Sequence, residues 1–107
     1  MKNSKKTLES TFKKKVKKEL DGIPNLYYFV KEALALRGIP DIIGCCHGRF
    51  FAWELKRSAE EARKKTGRIV LQKHVIKLIQ KSGGIAGIVH PGNLDDKLKE
   101  LLSLSSL

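Results

Sequence analysis

From Pro40 to Lys56 the chain reads as two alternating runs about a short turn, and this stretch constrains the fold more than any other. Asp41-Ile42-Ile43-Gly44 leads through Cys45-Cys46 to His47-Gly48, and Arg49-Phe50-Phe51-Ala52-Trp53-Glu54-Leu55-Lys56 follows. Two β-prone runs flanking a turn pair predict a hairpin. With His47-Gly48 as its loop, Cys46 pairs with Arg49, Cys45 with Phe50, Ile43 with Ala52, and Asp41 with Glu54. Two carboxylates then stand directly opposed on one face, about 5 Å apart at Cβ. Lys56 joins that face through the period of two, while Phe51, Trp53 and Leu55 fall on the other with Ile42, to pack against a helix. A longer turn would give a different pairing.

The remaining segments supply the cover for such a sheet. Leu8, Phe12, Val16 and Leu20 recur every four residues and mark one face of a helix from about Thr7 to Leu20. Asp21-Gly22 and Pro24-Asn25 end it, and Leu26-Tyr27-Tyr28-Phe29-Val30 reads as a strand. Lys31 to Gly38 fits either an extended or a helical course. Ser58 with Glu61 forms a capping box for a short helix stopping near Gly67. A longer helix spans Ile69 to Ser82, with Val75, Leu78 and Ile79 facing inward and Gly83-Gly84 as its stop. Ile85 to His90 is a strand, and Asn93 caps a last helix bearing Leu94, Leu98, Leu101 and Leu102. The expected fold is α/β: a small mixed sheet flanked by helices, in the order helix, three strands, helix, strand, helix. With 107 residues, a single domain is expected. Residues 1–6 would form a basic N-terminal arm and 103–107 a tail.

Charge narrows the partners. Lysine and arginine total 22 against 11 acidic residues, a formal net charge of +11. Such an excess steers polyanions toward the surface. No apolar run approaches the roughly 18 residues that span a bilayer, and no signal-peptide core begins the chain, so nucleic acid is the expected partner rather than a membrane. Cys45 and Cys46 are adjacent, so in a strand they point to opposite faces. No CxxC pair exists, and His47, His74 and His90 lack zinc-finger spacing. The cytosol is the expected compartment.

Opposed carboxylates destabilise a strand pair unless a cation joins them. Hard oxygen donors suit Mg²⁺ or Mn²⁺, and the main-chain carbonyl of Leu55 offers a further ligand beside Asp41 and Glu54. An ion held there polarises a phosphoryl oxygen and acidifies a bound water, with Lys56 positioned to orient the nucleophile or neutralise developing charge. The bland alternative is a turn aspartate after Pro40 and a solvated Glu54–Lys56 strand face. On a helical wheel Glu9 lies within roughly 20° of Val16 and Leu20, where an unpaired carboxylate is costly, unless the helix frays there and leaves it in solvent. Gln72 lies close to Ile76 and Ile79 on the inward face of its helix. Lys73, Lys77 and Lys81 form a stripe on the opposite side, either phosphate contacts or simply a solvated face.

Gly38-Ile39-Pro40-Asp41 followed by Glu54-Leu55-Lys56 resembles the motif of the PD-(D/E)XK nuclease superfamily, in particular its virus-type replication-repair (VRR-NUC) branch. The resemblance covers about Leu8 to Val89 and implies a restriction-endonuclease-like core. It implies that Asp41 and Glu54 hold Mg²⁺ or Mn²⁺, that Lys56 assists the attacking water, and that Glu9 is associated with the metal. A glutamine on the later helix matches Gln72, which either bonds the lysine or the metal water or acts as an ordinary core amide. The charged segment from Arg57 to Arg68 is longer than the family's usual link and fits a flap over substrate.

The expected function is therefore a Mg²⁺- or Mn²⁺-dependent DNA endonuclease, with Asp41, Glu54, Lys56, Gln72 and Glu9 in its site. Lys13, Lys14, Lys17, Arg37, Arg57, Lys73 and Lys77 are the expected DNA contacts. No small-molecule cofactor is expected, and Walker A, GxSxG and HExxH patterns are absent. The alternative is a basic nucleic-acid-binding module without catalysis. One short chain carries one such site, so cutting two strands calls for a homodimer. The leucine-rich last helix and Tyr27, Tyr28 and Phe29 exceed what one small sheet must cover and offer apolar surface for it, with packing inside the chain as the bland alternative for both. Minimal stand-alone members of the resembled branch act as dimeric Holliday-junction resolvases, which implies branched DNA as substrate.

Overall fold

A computed structural model describes the backbone of residues 4–31 and 38–106, and the side chains among these from residue 10 to 104. The elements are α1 (Ser4–Asp21), β1 (Leu26–Val30), β2 (Ile42–Cys46), β3 (Arg49–Leu55), α2 (Ala59–Arg63), α3 (Gly67–Lys81), β4 (Ile85–Val89), α4 (Leu94–Leu102) and a closing 3₁₀ helix, Ser103–Ser106. The four strands form one sheet in chain order. β1, β2 and β3 pair antiparallel, whereas β4 lies parallel to β3 and is reached by way of α2 and α3. This is the expected α/β mixed sheet with flanking helices.

The hairpin register agrees with the alternation. Cys46 pairs with Arg49, Cys45 with Phe50 and Ile43 with Ala52. His47 and Gly48 both take positive φ, 49° and 81°, the mirror-image turn whose twist matches that of the flanking strands. Cys46 is buried while Cys45 is exposed, on opposite faces.

Each sheet face has its own cover. Phe12, Val16 and Leu20 of α1 join Ile42, Cys46, Phe51, Trp53, Ile85 and Val89 of the strands and Leu94, Leu98 and Leu101 of α4 in the main core. On the other face Ile76 of α3 packs with Ala52 and Ala86, and Ile43, Ile79 and Ile88 border this smaller cluster. Small side chains at positions 52 and 86 fit a helix lying close to the sheet.

Three local expectations need correction. Along α3 the buried residues are Ile69, Gln72 and Ile76, and Leu78 is half exposed. The helix rests on β3 and β4 through Ile76, while Leu78 lines an open groove beside Phe50 and Leu71 lies near Gly38. Asn93 stands at the N-cap of α4 but makes no side-chain cap bond. Its side chain instead accepts from the His90 amide (2.8 Å) and donates to the Ile88 carbonyl (2.9 Å), tying down the end of β4. The leucines of α4 are not surplus: Leu94, Leu98 and Leu101 are consumed by the core, leaving Leu102 exposed. Tyr28 is also engaged, its hydroxyl donating to Asp21 (2.7 Å). Burial and this bond push its pKa up to about 12. Of the apolar surface expected for a second subunit, Tyr27 and Phe29 stay exposed, joined by Phe50, Leu71 and Leu78. Of the segments read as arm and tail, Ser4 to Lys6 lies within α1, and the closing 3₁₀ helix buries Leu104.

Candidate active site

β2 begins at Ile42, opposite Trp53, so Asp41 stands one residue before the strand at the level of Glu54. The Lys31 amide donates to the Asp41 carbonyl (2.8 Å), which carries the β1–β2 ladder on to that residue. Beyond it β3 has lost its partner strand. The Asp41 carboxylate fills the gap: its Oδ2 accepts from the Leu55 amide at 2.9 Å. On the far side of β3 the Lys56 amide donates to the Val89 carbonyl, so parallel pairing steadies the segment bearing Glu54 and Lys56.

Glu54 is 3% exposed. Its Oε2 lies 3.4 Å from the Lys56 ammonium, which is itself mostly buried, and its Oε1 has no partner. Burial, and then the neighbouring Asp41 charge, push the Glu54 pKa up to about 7, against the opposing pull of Lys56 and Lys31. A buried carboxylate with one bare oxygen is costly as an anion and becomes less so when a cation approaches.

A cavity of about 530 Å³ opens over these groups. Asp41, Glu54, Leu55 and Lys56 contribute one side, Ser10 and Lys13 of α1 another, and Arg57, Glu61 and Arg68 a third. Glu61 accepts from both Arg57 and Lys64 at 3.2 Å, and the nearby cations hold its pKa below the usual value. The capping expected at Ser58 is present, its hydroxyl accepting from the Glu61 amide at 3.1 Å.

Gln72 is 4% exposed and its side-chain oxygen lacks a partner. Because β3 and β4 are parallel, the α3 between them runs antiparallel to both. Four α-helical residues advance about 6 Å and two strand residues about 6.6 Å. Ile76 packs with Ala52 and Ala86, so these rises put Gln72 near the level of Glu54 and Ile88, although Gln72 does not line the cavity.

The other expected residues divide. Lys13 and Arg57 line the cavity. Lys14 and Lys17 are exposed on α1. Lys73 and Lys77 border a separate shallow groove with Lys64, Lys65, Val70 and His74. Arg37 and the side chain of Glu9 lie outside the described residues. Ser10, Glu61 and Arg68 were not anticipated. Arg68 stands four residues before Gln72, and Glu61 four after Arg57, spacings that would have pointed to both.

Among the described residues no group of three or more His, Cys, Asp or Glu side chains could hold a metal ion, and the carboxylates that line the cavity are Asp41, Glu54 and, paired to Arg57 and Lys64, Glu61. No helix among them is long and apolar enough to cross a membrane. No protein-family model, curated protein or solved structure matches the chain.

Proposed function

We propose that this protein is a metal-dependent DNA endonuclease of the PD-(D/E)XK type, acting through Asp41, Glu54 and Lys56. The observation that carries the reading is the cavity itself. It brings a carboxylate pair and a buried lysine together under a ring of cations, and one oxygen of Glu54 is bare. A protein that only binds phosphates gains nothing from carboxylates set beneath them.

Asp41 and Glu54 would hold Mg²⁺ or Mn²⁺, with the Leu55 carbonyl and Glu9 as further ligands. Such an ion, when bound, supplies Lewis-acid polarisation of a phosphoryl oxygen and acidifies a water. Asp41 does its part already oriented, one oxygen fixed by the Leu55 amide. Lys56 is held by Glu54 at the cavity wall, where its charge faces a phosphodiester entering from solvent. Gln72 offers its free oxygen at the same level as a hydrogen-bond acceptor for lysine or water.

The substrate we propose is branched DNA, cut by a homodimer in the cytosol. One cavity serves one strand, so paired incisions require two copies. The interface we assign is the exposed face bearing Tyr27, Phe29, Phe50, Leu71 and Leu78, in place of the leucines of α4.

The test is a panel of labelled four-way junction, flap and duplex DNAs in Mg²⁺, Mn²⁺ and EDTA, with light scattering on the same sample. Metal-dependent cleavage, fastest and symmetric on the junction, and twice the 12.0 kDa chain mass are expected. A monomer that nicks all three equally would defeat the branched-DNA and dimer readings. DNA binding without cleavage in either metal would favour the non-catalytic binding module.

A further inference from the structure

Four basic side chains line the cavity: Lys13, Lys56, Arg57 and Arg68. Lys56 is committed to Glu54, and Arg57 to Glu61. Lys13 and Arg68 have neither an ion pair nor a side-chain hydrogen bond among the described residues. They approach from different layers, Lys13 from the helix packed on the main core and Arg68 from the start of the helix on the opposite sheet face.

The position of Arg68 is unfavourable for a residue concerned only with stability. It lies in the first turn of α3, which contains no acidic side chain. The helix dipole there repels a cation and attracts an anion. One turn before Gln72, Arg68 falls beyond the Glu54 level, at that of Lys56, by the same matching of helical and strand rise. A guanidinium is a planar fork of donors suited to two phosphate oxygens at once, and it sheds water more readily than an ammonium. An anion at this point would be met by the fork and the helix start together.

We propose that Arg68, with Lys13 across the cavity, grips the DNA backbone and sets the scissile phosphodiester over Asp41 and Glu54. The proposal rests on the nuclease reading and adds the substrate-holding residues to it. The Lys73–Lys77 groove lies outside this grip and contributes only general attraction. Glu61 completes the arrangement by holding Arg57 back, which leaves the fork of Arg68 as the open one.

The experiment compares native protein with Arg68→Ala, Arg68→Lys and, as a surface control, Lys99→Ala. Binding of a labelled junction in EDTA is followed by anisotropy across a salt series, and single-turnover cleavage is measured at saturating protein. Arg68→Ala should lower the cleavage rate about 100-fold and reduce the salt slope by about one unit, as expected for one lost phosphate contact. Arg68→Lys should keep the slope and recover little of the rate, because charge returns without the fork. Lys99→Ala should match native protein, and thermal unfolding should show all variants folded. Cleavage by Arg68→Ala within twofold of native, with an unchanged slope, overturns the proposal while leaving the nuclease reading in place. If native protein cuts no DNA in either metal, the nuclease reading falls and the binding arm decides the grip: a reduced slope supports it and an unchanged one ends it.

Discussion

Trp53 and Glu54 are neighbours on β3, 0% and 3% exposed, and they face opposite sides of the sheet. Trp53 enters a core of α1, α4 and strand side chains and meets the ring of Phe51 edge-on at 5.8 Å. Glu54 enters the thinner layer under α3, beside another carboxylate and with one oxygen unbonded. One face is mainly apolar contact, though the Trp53 indole N–H is itself buried without a partner, while the other holds a carboxylate whose burial as an anion opposes folding. The difference teaches where stability and chemistry reside in a small domain. The main core supplies the excess stability that lets the site keep an unfavourable charge.

The largest expected effect breaks the core side of this comparison. Trp53→Ala removes the largest fully buried side chain and should cost about 3–5 kcal/mol in chemical denaturation, enough to unfold a marginal domain. Glu54→Gln keeps a side chain of the same size at a similarly buried position but removes its charge, and its effect has the opposite sign. The folded value near 7 lies above the ordinary 4.5, so between the two the native state keeps a proton that the unfolded chain has released. Metal-free stability should therefore fall as pH rises from about 4.5 to about 7, by about 3 kcal/mol, and stay low above that range. Glu54→Gln should flatten this slope and be the more stable protein at pH 8. Denaturation midpoints across pH would show it, and a native slope that rises with pH would contradict the electrostatic account of the site. The pull of Lys56 on Glu54 is the smaller opposing effect. Lys56→Ala should slow single-turnover cleavage about 100-fold with little change in Mn²⁺ affinity, while Lys73→Ala should weaken binding only modestly. Equal damage from both would reduce Lys56 to one more surface charge.

Much of the site-bearing face was legible because a strand has a period of two, and the two-residue turn on which the pairing depended is the one the structure adopts. His47-Gly48 sets the register, and the placement of Asp41, Glu54, Phe51 and Trp53 follows from it. Helices were less legible. Apolar periodicity in α3 is compatible with either Ile76 or Leu78 facing the sheet, and the choice depends on which strands the helix covers. The parallel partner β4 makes that choice, and it comes from tertiary packing. The same dependence hid Arg68, whose relevance appears only once the packing of α3 brings its first turn to the cavity. Asn93 was assigned a local capping role because that is what asparagine does before a helix, but the strand end beside it offered better-placed partners. The α4 leucines looked surplus until Cys46 and Val89 proved to need their cover.

In the proposed function Asp41 and Glu54 act together as the metal-dependent cutting site. Single-turnover cleavage of a labelled four-way junction in Mn²⁺, by native protein and by Asp41→Asn, tests it most directly. Native protein should cut the strand, and EDTA should abolish the cut. In Asp41→Asn the rate should fall by at least about 1,000-fold, with junction binding retained or improved because a negative charge near phosphate is gone. Cleavage by Asp41→Asn at more than a few per cent of the native rate would contradict the proposed site.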